Sequence, residues 1–178
     1  MQAVTADLPA VLVDHAHLER RAASSALNLE KYHALHDKVG ELNAIAIEEL
    51  QHFQLVLDIL KKRGIRFAQA RHSPWISGLM RAVRTGERFQ VIDHLICAAL
   101  IEGRSCEKFQ LLARALDASE PELARFYGNL VESEGNHYAT YLLMAREIDH
   151  AETDSRLDTY LDMEAQLMGE WKPRAMLH

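Results

Sequence analysis

The chain has 178 residues, 48% hydrophobic and 26% charged, with a net charge of −6; this suits one soluble globular domain over residues 1–178. The longest apolar run, residues 95–101, is too short to cross a bilayer, and residues 1–10 lack the basic start and apolar core of a signal peptide. Cys97 and Cys106 lie nine apart on one predicted helix and cannot bridge each other, so a cytoplasmic protein without membrane association is expected.

Eight glycines and four prolines are few for this length, and the stretches between them have helical periodicity. A first helix starts near Asp7, an N-cap with Pro9 in the first turn, and runs to about residue 32 or 33. A second helix runs to Arg63, where Gly64 stops it and Lys61, Lys62 and Arg63 suit its negative end. A long connection over 64–87 holds a short helix at about 75–84. Helices follow at about 88–116 and 120–149, so the bundle core occupies about 8–149. A last helix, with Thr153 as N-cap, covers about 153–168, and residues 171–178 read as irregular.

Each of the four long helices carries acid on an apolar face. Glu19 and Glu102 stand alone there, while Glu49/His52 and Glu134/His137 form two Glu-x-x-His pairs. Residues three apart share a helix face, so each pair presents a carboxylate and an imidazole to one point. A carboxylate can bridge two metal ions, whereas a histidine binds one. One such pair is weak evidence, but two, each about 30 residues after a buried-looking glutamate, make the ligand set of a carboxylate-bridged two-iron centre. Leu42, Ile45, Ala46, Phe53 and Val56 surround Glu49, and Leu95, Ala98, Ala99, Cys106 and Phe109 surround Glu102. Carboxylates on such stripes are expensive unless paired or bound to metal. Glu107 and Glu132 have polar neighbours and read as solvated, and Glu48 is intermediate.

The metal register also places the turns. If Glu19 meets the 49/52 pair at one depth, the first turn falls near 34–36, Asp37 caps the second helix, and Gly40 lies inside its first turn. The same argument puts the second turn within 117–121, with Ser119 as N-cap. Two hairpins joined by one long crossover give an all-α, ferritin-like four-helix bundle with additional short helices.

Several segments carry a resemblance. They are residues 14–24, Glu48-Glu49-Leu50-Gln51-His52, Ile101-Glu102-Gly103-Arg104-Ser105-Cys106-Glu107-Lys108-Phe109, Arg125-Phe126-Tyr127, and Ser133-Glu134-Gly135-Asn136-His137-Tyr138. Together they resemble the MiaE family of tRNA hydroxylases, over roughly residues 11–146. The 101–109 stretch is the most specific, because ferritins and rubrerythrins do not carry it. The resemblance implies two non-haem irons held by Glu19, Glu49, His52, Glu102, Glu134 and His137. It further implies O₂ as co-substrate, an external electron donor (a reductase or ferredoxin), and hydroxylation of the isopentenyl group of 2-methylthio-N6-isopentenyladenosine beside the anticodon. A monomer or small oligomer is expected.

A tRNA substrate should leave an electrostatic mark. Residues 61–88 contain Lys61, Lys62, Arg63, Arg66, Arg71, Arg81, Arg84 and Arg88 against the single acid Glu87, a segment of +7 in a chain of −6. That cluster is a candidate phosphate-binding patch, within which Phe67 and Trp75 could stack on bases or pack. Three other readings compete. A rubrerythrin-type peroxidase often adds a cysteine-rich iron domain that two lone cysteines cannot provide, iron storage needs a large symmetric shell, and a metal-free RNA-binding bundle needs no such ligand set.

Overall fold

The computed structural model describes residues 7–69 and 73–169. Helix α1 (Leu8–Leu29) packs chiefly on α2 (Val39–Lys62), and α4 (Glu87–Leu116) on α5 (Pro121–Ile148), giving two hairpins. The connection between them carries the short helix α3 (Pro74–Arg81), and α6 (His150–Gly169) closes against α3, α4 and α5. No strand occurs among the described residues.

Local chemistry explains most boundaries. Asp7 caps α1 by accepting the Ala10 N–H at 3.1 Å, with Pro9 in the first turn. Gly64 ends α2 at φ +66°, a conformation that favours glycine. Ser73 caps α3 by accepting the Ile76 N–H at 3.2 Å. Gly40 does lie in the first turn of α2.

Four expected boundaries are corrected. The first helix stops at Leu29, because a 3-10 helix (His33–Lys38) plugs the bundle end with buried Leu35 and with Tyr32, whose hydroxyl meets His94 Nδ1 at 2.7 Å. Asp37 therefore lies inside that 3-10 helix and caps nothing; it runs directly into α2, with Lys38 at the N-cap position and ion-paired to Glu147 at 2.6 Å. Glu120, not Ser119, occupies the N-cap position of α5, and its carboxylate accepts from Arg63 at 2.7 and 3.2 Å. Thr153 is buried inside α6, donating its hydroxyl to Ala145 O at 2.9 Å, while Asp149 accepts the Glu152 N–H. The one extended residue Asp149 separates α5 from α6, so the last helix begins three residues before Thr153. The expected irregular tail at 171–178 lies outside the described residues.

The apolar interior divides into two clusters. One contains Val11, Leu12, Val56, Phe109, Leu112 and Tyr127; the other contains Leu42, Trp75, Leu95, Tyr141 and Tyr160. Along every long helix, the glutamates and histidines fall between the residues of the two clusters. The core is therefore two hydrophobic halves separated by a layer of buried charge.

Candidate metal centre

That layer holds all six residues marked by the sequence. Glu19 comes from α1, Glu49 and His52 from α2, Glu102 from α4, and Glu134 and His137 from α5, and every one is buried. They form two overlapping groups, Glu19/Glu49/His52/Glu134 and Glu49/Glu102/Glu134/His137, with ligand atoms within 4.8 Å of one another in each. Glu49 and Glu134 belong to both groups, the position of bridging carboxylates, and each histidine belongs to one.

The donor atoms fit cations better than they fit each other. Both oxygens of Glu49, Oε1 of Glu134, and Nδ1 of His52 and His137 are buried without a hydrogen bond. His52 Nδ1 stands 3.7 Å from Glu19 Oε2, 3.9 Å from Glu49 Oε2 and 3.7 Å from Glu134 Oε1, too far for hydrogen bonds and suited to a shared central ion. His137 is more telling. Its Nε2 lies 3.0 Å from Glu48 Oε2, an acceptor, so a neutral His137 donates there and leaves Nδ1 bare. That bare nitrogen is 2.6 Å from Glu49 Oε1. Two lone pairs so placed repel unless a cation or a proton lies between them.

Electrostatics point the same way. Burial, then the charges of Glu102 and Glu19, push Glu49 and Glu134 well above the usual carboxylate range. Burial raises Glu102 to about 7, against a hydrogen bond with Glu134 and with the Glu19 charge adding to the rise. Burial opposes ionisation of Glu19 too, but the charge of and hydrogen bond from His15, with lesser contributions from nearby His52 and Glu49, hold it below the usual range. Burying an ionised carboxylate costs on the order of several kcal/mol without compensation. Two dications held by Glu19, Glu49, Glu102 and Glu134 with the two histidines would supply that compensation.

Sequence reasoning assigned no supporting role to His15, Glu48, Ser133, Tyr127 or Tyr141. His15 hydrogen-bonds Glu19 from one turn back, and its ring packs against Phe109 and stacks on Tyr127 at 4.8 and 5.4 Å between centroids. The i,i+4 spacing of His15 and Glu19 was the available signal. Glu48 accepts from Ser133 Oγ at 2.7 Å as well as meeting His137, a contact 85 residues apart that no local pattern reveals. The hydroxyls of Tyr127 and Tyr141 are buried without partners above and below the layer. Arg104 pairs through Nε and Nη2 with buried Glu164 of α6 at 2.7 and 2.8 Å, and Arg20 reaches His17 Nδ1 at 3.3 Å. Glu107 and Glu132 are exposed as expected.

The basic segment looks different in three dimensions. Lys62 pairs with Glu122 at 2.7 Å, Arg63 with Glu120 at 2.7 Å, and Arg88 with Asp149. Arg84 binds Asp93 and Glu152, at 2.7 and 2.6 Å. Lys61, Arg66 and Arg81 are exposed without ion pairs among the described residues, and Arg71 lies outside them. Trp75 is buried in the core, whereas Phe67 stacks on His17 at 4.4 Å and stays partly exposed. No helix among the described residues is long and apolar enough to cross a membrane.

Fold and site together define a ferritin-like helical bundle whose buried Glu/His layer is fitted to two metal ions. A solved structure, a protein from Synechococcus with aldehyde deformylating oxygenase activity, superposes with a TM-score of 0.92 at 30% identity, covering 99% of this chain and 90% of that one. The model of the family described as tRNA-(MS[2]IO[6]A)-hydroxylase (MiaE) matches residues 1–178, and the chain belongs to that family. Its relatives include a tRNA 2-(methylsulfanyl)-N(6)-isopentenyladenosine(37) hydroxylase from Pseudomonas putida, 40% identical over 146 residues, which are 82% of this chain and 70% of that protein. Another of the same name from Salmonella typhimurium is 40% identical over 121 residues, 68% of this chain and 44% of that protein.

Proposed function

We propose that the chain is an O₂-dependent two-iron monooxygenase that hydroxylates the isopentenyl group of 2-methylthio-N6-isopentenyladenosine in tRNA, next to the anticodon. The observation that carries this reading is the pair of overlapping Glu/His groups sharing Glu49 and Glu134, in a chain of the MiaE family. Glu19 with His52 would hold one iron and Glu102 with His137 the other. When bound, the irons supply electrons to O₂ for insertion of one oxygen atom into a C–H bond. The overall balance takes the substrate C–H, O₂, two electrons and two protons to the alcohol and water, so an external donor must provide the electrons.

The protein's own part is positioning and exclusion of water. Glu48 and Ser133 orient His137, and His15 keeps Glu19 ionised and turned inward. Apolar layers on either side keep the centre dry, including Leu130 and Tyr127 in one cluster and Ala98 and Tyr141 in the other. Lys61, Arg66 and Arg81 are proposed as outlying contacts to RNA phosphates. The test is nucleoside mass spectrometry of tRNA from a strain expressing the chain, beside one expressing Glu102→Ala. One added oxygen on the prenylated adenosine, absent from the variant, supports the reading; no added oxygen despite two bound irons moves the function to another substrate.

A further inference from the structure

We infer that the prenylated nucleotide enters through the cleft between α1 and α4, with its phosphates on the α1 rim at Arg21 and Lys31. This inference rests on the proposed function and names the route by which that substrate reaches the metal layer.

The cleft has a volume of about 410 Å³, within the range that holds a small ligand. One wall is the outer face of α1 and the residues just past it, Arg21, Ser24, Ser25, Asn28 and Lys31, spaced as one helical stripe and all exposed. The other wall is α4, where His94, Cys97, Ala98 and Ile101 follow the same spacing, and Met80 of α3 closes the side. The cleft is possible because α1 packs mainly on α2 and α4 mainly on α5, leaving the α1–α4 seam lightly filled.

Its charge distinguishes it from the two described clefts that border α5. Two cations line it and no acid does, in a chain of net charge −6. The cleft between α2 and α5 has Lys62 and Arg63 against Asp58, Glu120 and Glu122, and the one between α4 and α5 has Arg104 against Glu107 and Glu164. Both are acidic in sum and would repel a phosphate backbone. Arg81 borders a further cleft, beside α6 and lined by Gly78, Met163 and Leu167, but no residue of the metal layer or its immediate neighbours lines it. Four of the eight cations in segment 61–88 are paired with Glu120, Glu122, Asp93, Glu152 and Asp149. The phosphates nearest the prenylated nucleotide are therefore placed on the α1 rim, with Lys61, Arg66 and Arg81 left as outlying contacts.

The polarity gradient suits a prenylated purine. At the outer end Tyr32 and His94 are joined at 2.7 Å, giving an aromatic surface with polar edges beside Lys31. Ser24, Ser25 and Asn28 add hydrogen-bonding groups along one side. Toward the metal the lining becomes Cys97, Ala98 and Ile101. Ile101 precedes Glu102, and Ala98 lies one turn before it on the same side of α4. On α1, Ala22 and Ala26 lie one and two turns beyond Glu19 on its own side. Leu29 and Ile101 make the inner lining apolar, and at Ala98 only a methyl group stands on the side of α4 that carries Glu102. An apolar five-carbon tail can pass where an aromatic or long aliphatic side chain would block it.

The test uses the full-length, iron-loaded chain and an anticodon stem–loop RNA, with and without the prenyl group, titrated at several salt concentrations. Arg21→Glu with Lys31→Glu should weaken binding at least tenfold and lower the salt slope by about one to two, the loss of two phosphate contacts. The charge-matched pair Arg114→Glu with Arg125→Glu, exposed at the other end of the bundle, should change it less than twofold. Asn28→Trp, on the exposed rim, should abolish the preference for prenylated RNA while iron stoichiometry and Tm stay at wild-type values. Wild-type binding by both rim variants overturns the inference, as does failure of the wild-type chain to bind either RNA. If binding runs through the rim but no oxygen is added, the cleft stands and the hydroxylase reading falls; full hydroxylation by the rim variants sinks the cleft and leaves that reading intact.

Discussion

Glu48 Oε2 lies 3.0 Å from His137 Nε2, on the far side of the imidazole from the metal layer. Its other oxygen accepts from Ser133 Oγ at 2.7 Å, so the carboxylate is fixed from α5 before it fixes the histidine. This outer bond decides which nitrogen of His137 carries the proton and turns a bare Nδ1 toward Glu49. The hydrogen bonds with Ser133 and His137 also hold Glu48 below the usual carboxylate range, although burial opposes them. No such carboxylate stands behind His52 among the described contacts, so the two halves of the centre are unequal.

Replacing Glu48 should therefore weaken one metal position and spare the other. Glu48→Gln can present its amide N–H₂ to His137 and favour the wrong tautomer. A loss of about 10- to 100-fold in affinity at that position is expected, the usual cost of removing an outer partner. Anaerobic iron titration would show one tight and one weakened equivalent where the parent shows two tight ones. Two undiminished equivalents would mean that His137 is oriented by packing alone.

Metal removal should invert the pH dependence of stability. In the metal-free protein the folded-state positions of Glu49, Glu134 and Glu102 lie above their unfolded values, the last at about 7. A carboxyl raised by folding binds its proton more tightly in the folded state, so its contribution is fully present below the unfolded value. That contribution is lost as pH rises through the folded one. Metal-free Tm should therefore fall between pH 5 and pH 8. With iron bound the ligands must be deprotonated, and Tm should hold or rise over the same interval. Parallel thermal scans with and without chelator would show whether the two curves diverge toward pH 8.

The buried Glu/His layer was legible in the sequence because its signal is local: Glu-x-x-His spans only four residues, and the register of the two motifs with Glu19 and Glu102 indicated roughly where the hairpins turn. Gly40 inside α2 followed from that register even though its type argues for a loop. What escaped depends on partners distant in sequence. Ser119 looked like a cap, yet Glu120 sits at the N-cap position with its carboxylate held by Arg63 from 57 residues away. Residues 61–88 looked like a cationic patch because the acids that neutralise four of its eight charges lie on α4, α5 and α6 or at their ends. Glu48 was ambiguous for the same reason, since its partners are on α5.

At Gly103, beside Glu102, two small terms oppose each other. A Cβ there would lie 3.1 Å from Tyr138 Cδ2, close enough that the ring must shift by a few tenths of an ångström. Tyr138 borders the α4–α5 cleft of about 300 Å³ and has room to swing. Alanine in a helix gains about 1 kcal/mol over glycine. Gly103→Ala should therefore change stability by less than about 1 kcal/mol, while Gly103→Leu should cost about 1–3 kcal/mol by overpacking. Chemical denaturation of both variants distinguishes a yielding Tyr138 from a rigid one, for which alanine alone would be costly.

Asp93 ties the crossover to α4 and α6. Its carboxylate is fully buried and accepts from Arg84 N, Nε and Nη2 at 2.9, 3.1 and 2.7 Å, and from Arg156 Nε and Nη2 at 3.0 and 3.2 Å. Burial opposes its ionisation, but the bonds from Arg84 and Arg156 outweigh this and hold it below its usual range. A depressed carboxyl contributes stability that is present above its unfolded pKa and lost as pH falls through the folded one. The junction should therefore persist to about pH 4 and fail only in stronger acid. Asp93→Asn would leave two guanidinium groups facing a neutral amide, and about 3–5 kcal/mol is expected from breaking such a buried pair. Hydrogen exchange should show α3 and α6 opening first, because the acid that joins them to α4 is gone, while protection in the α1–α2 hairpin is retained. Uniform loss of protection across all helices would instead make this junction part of a single cooperative unit with the metal layer.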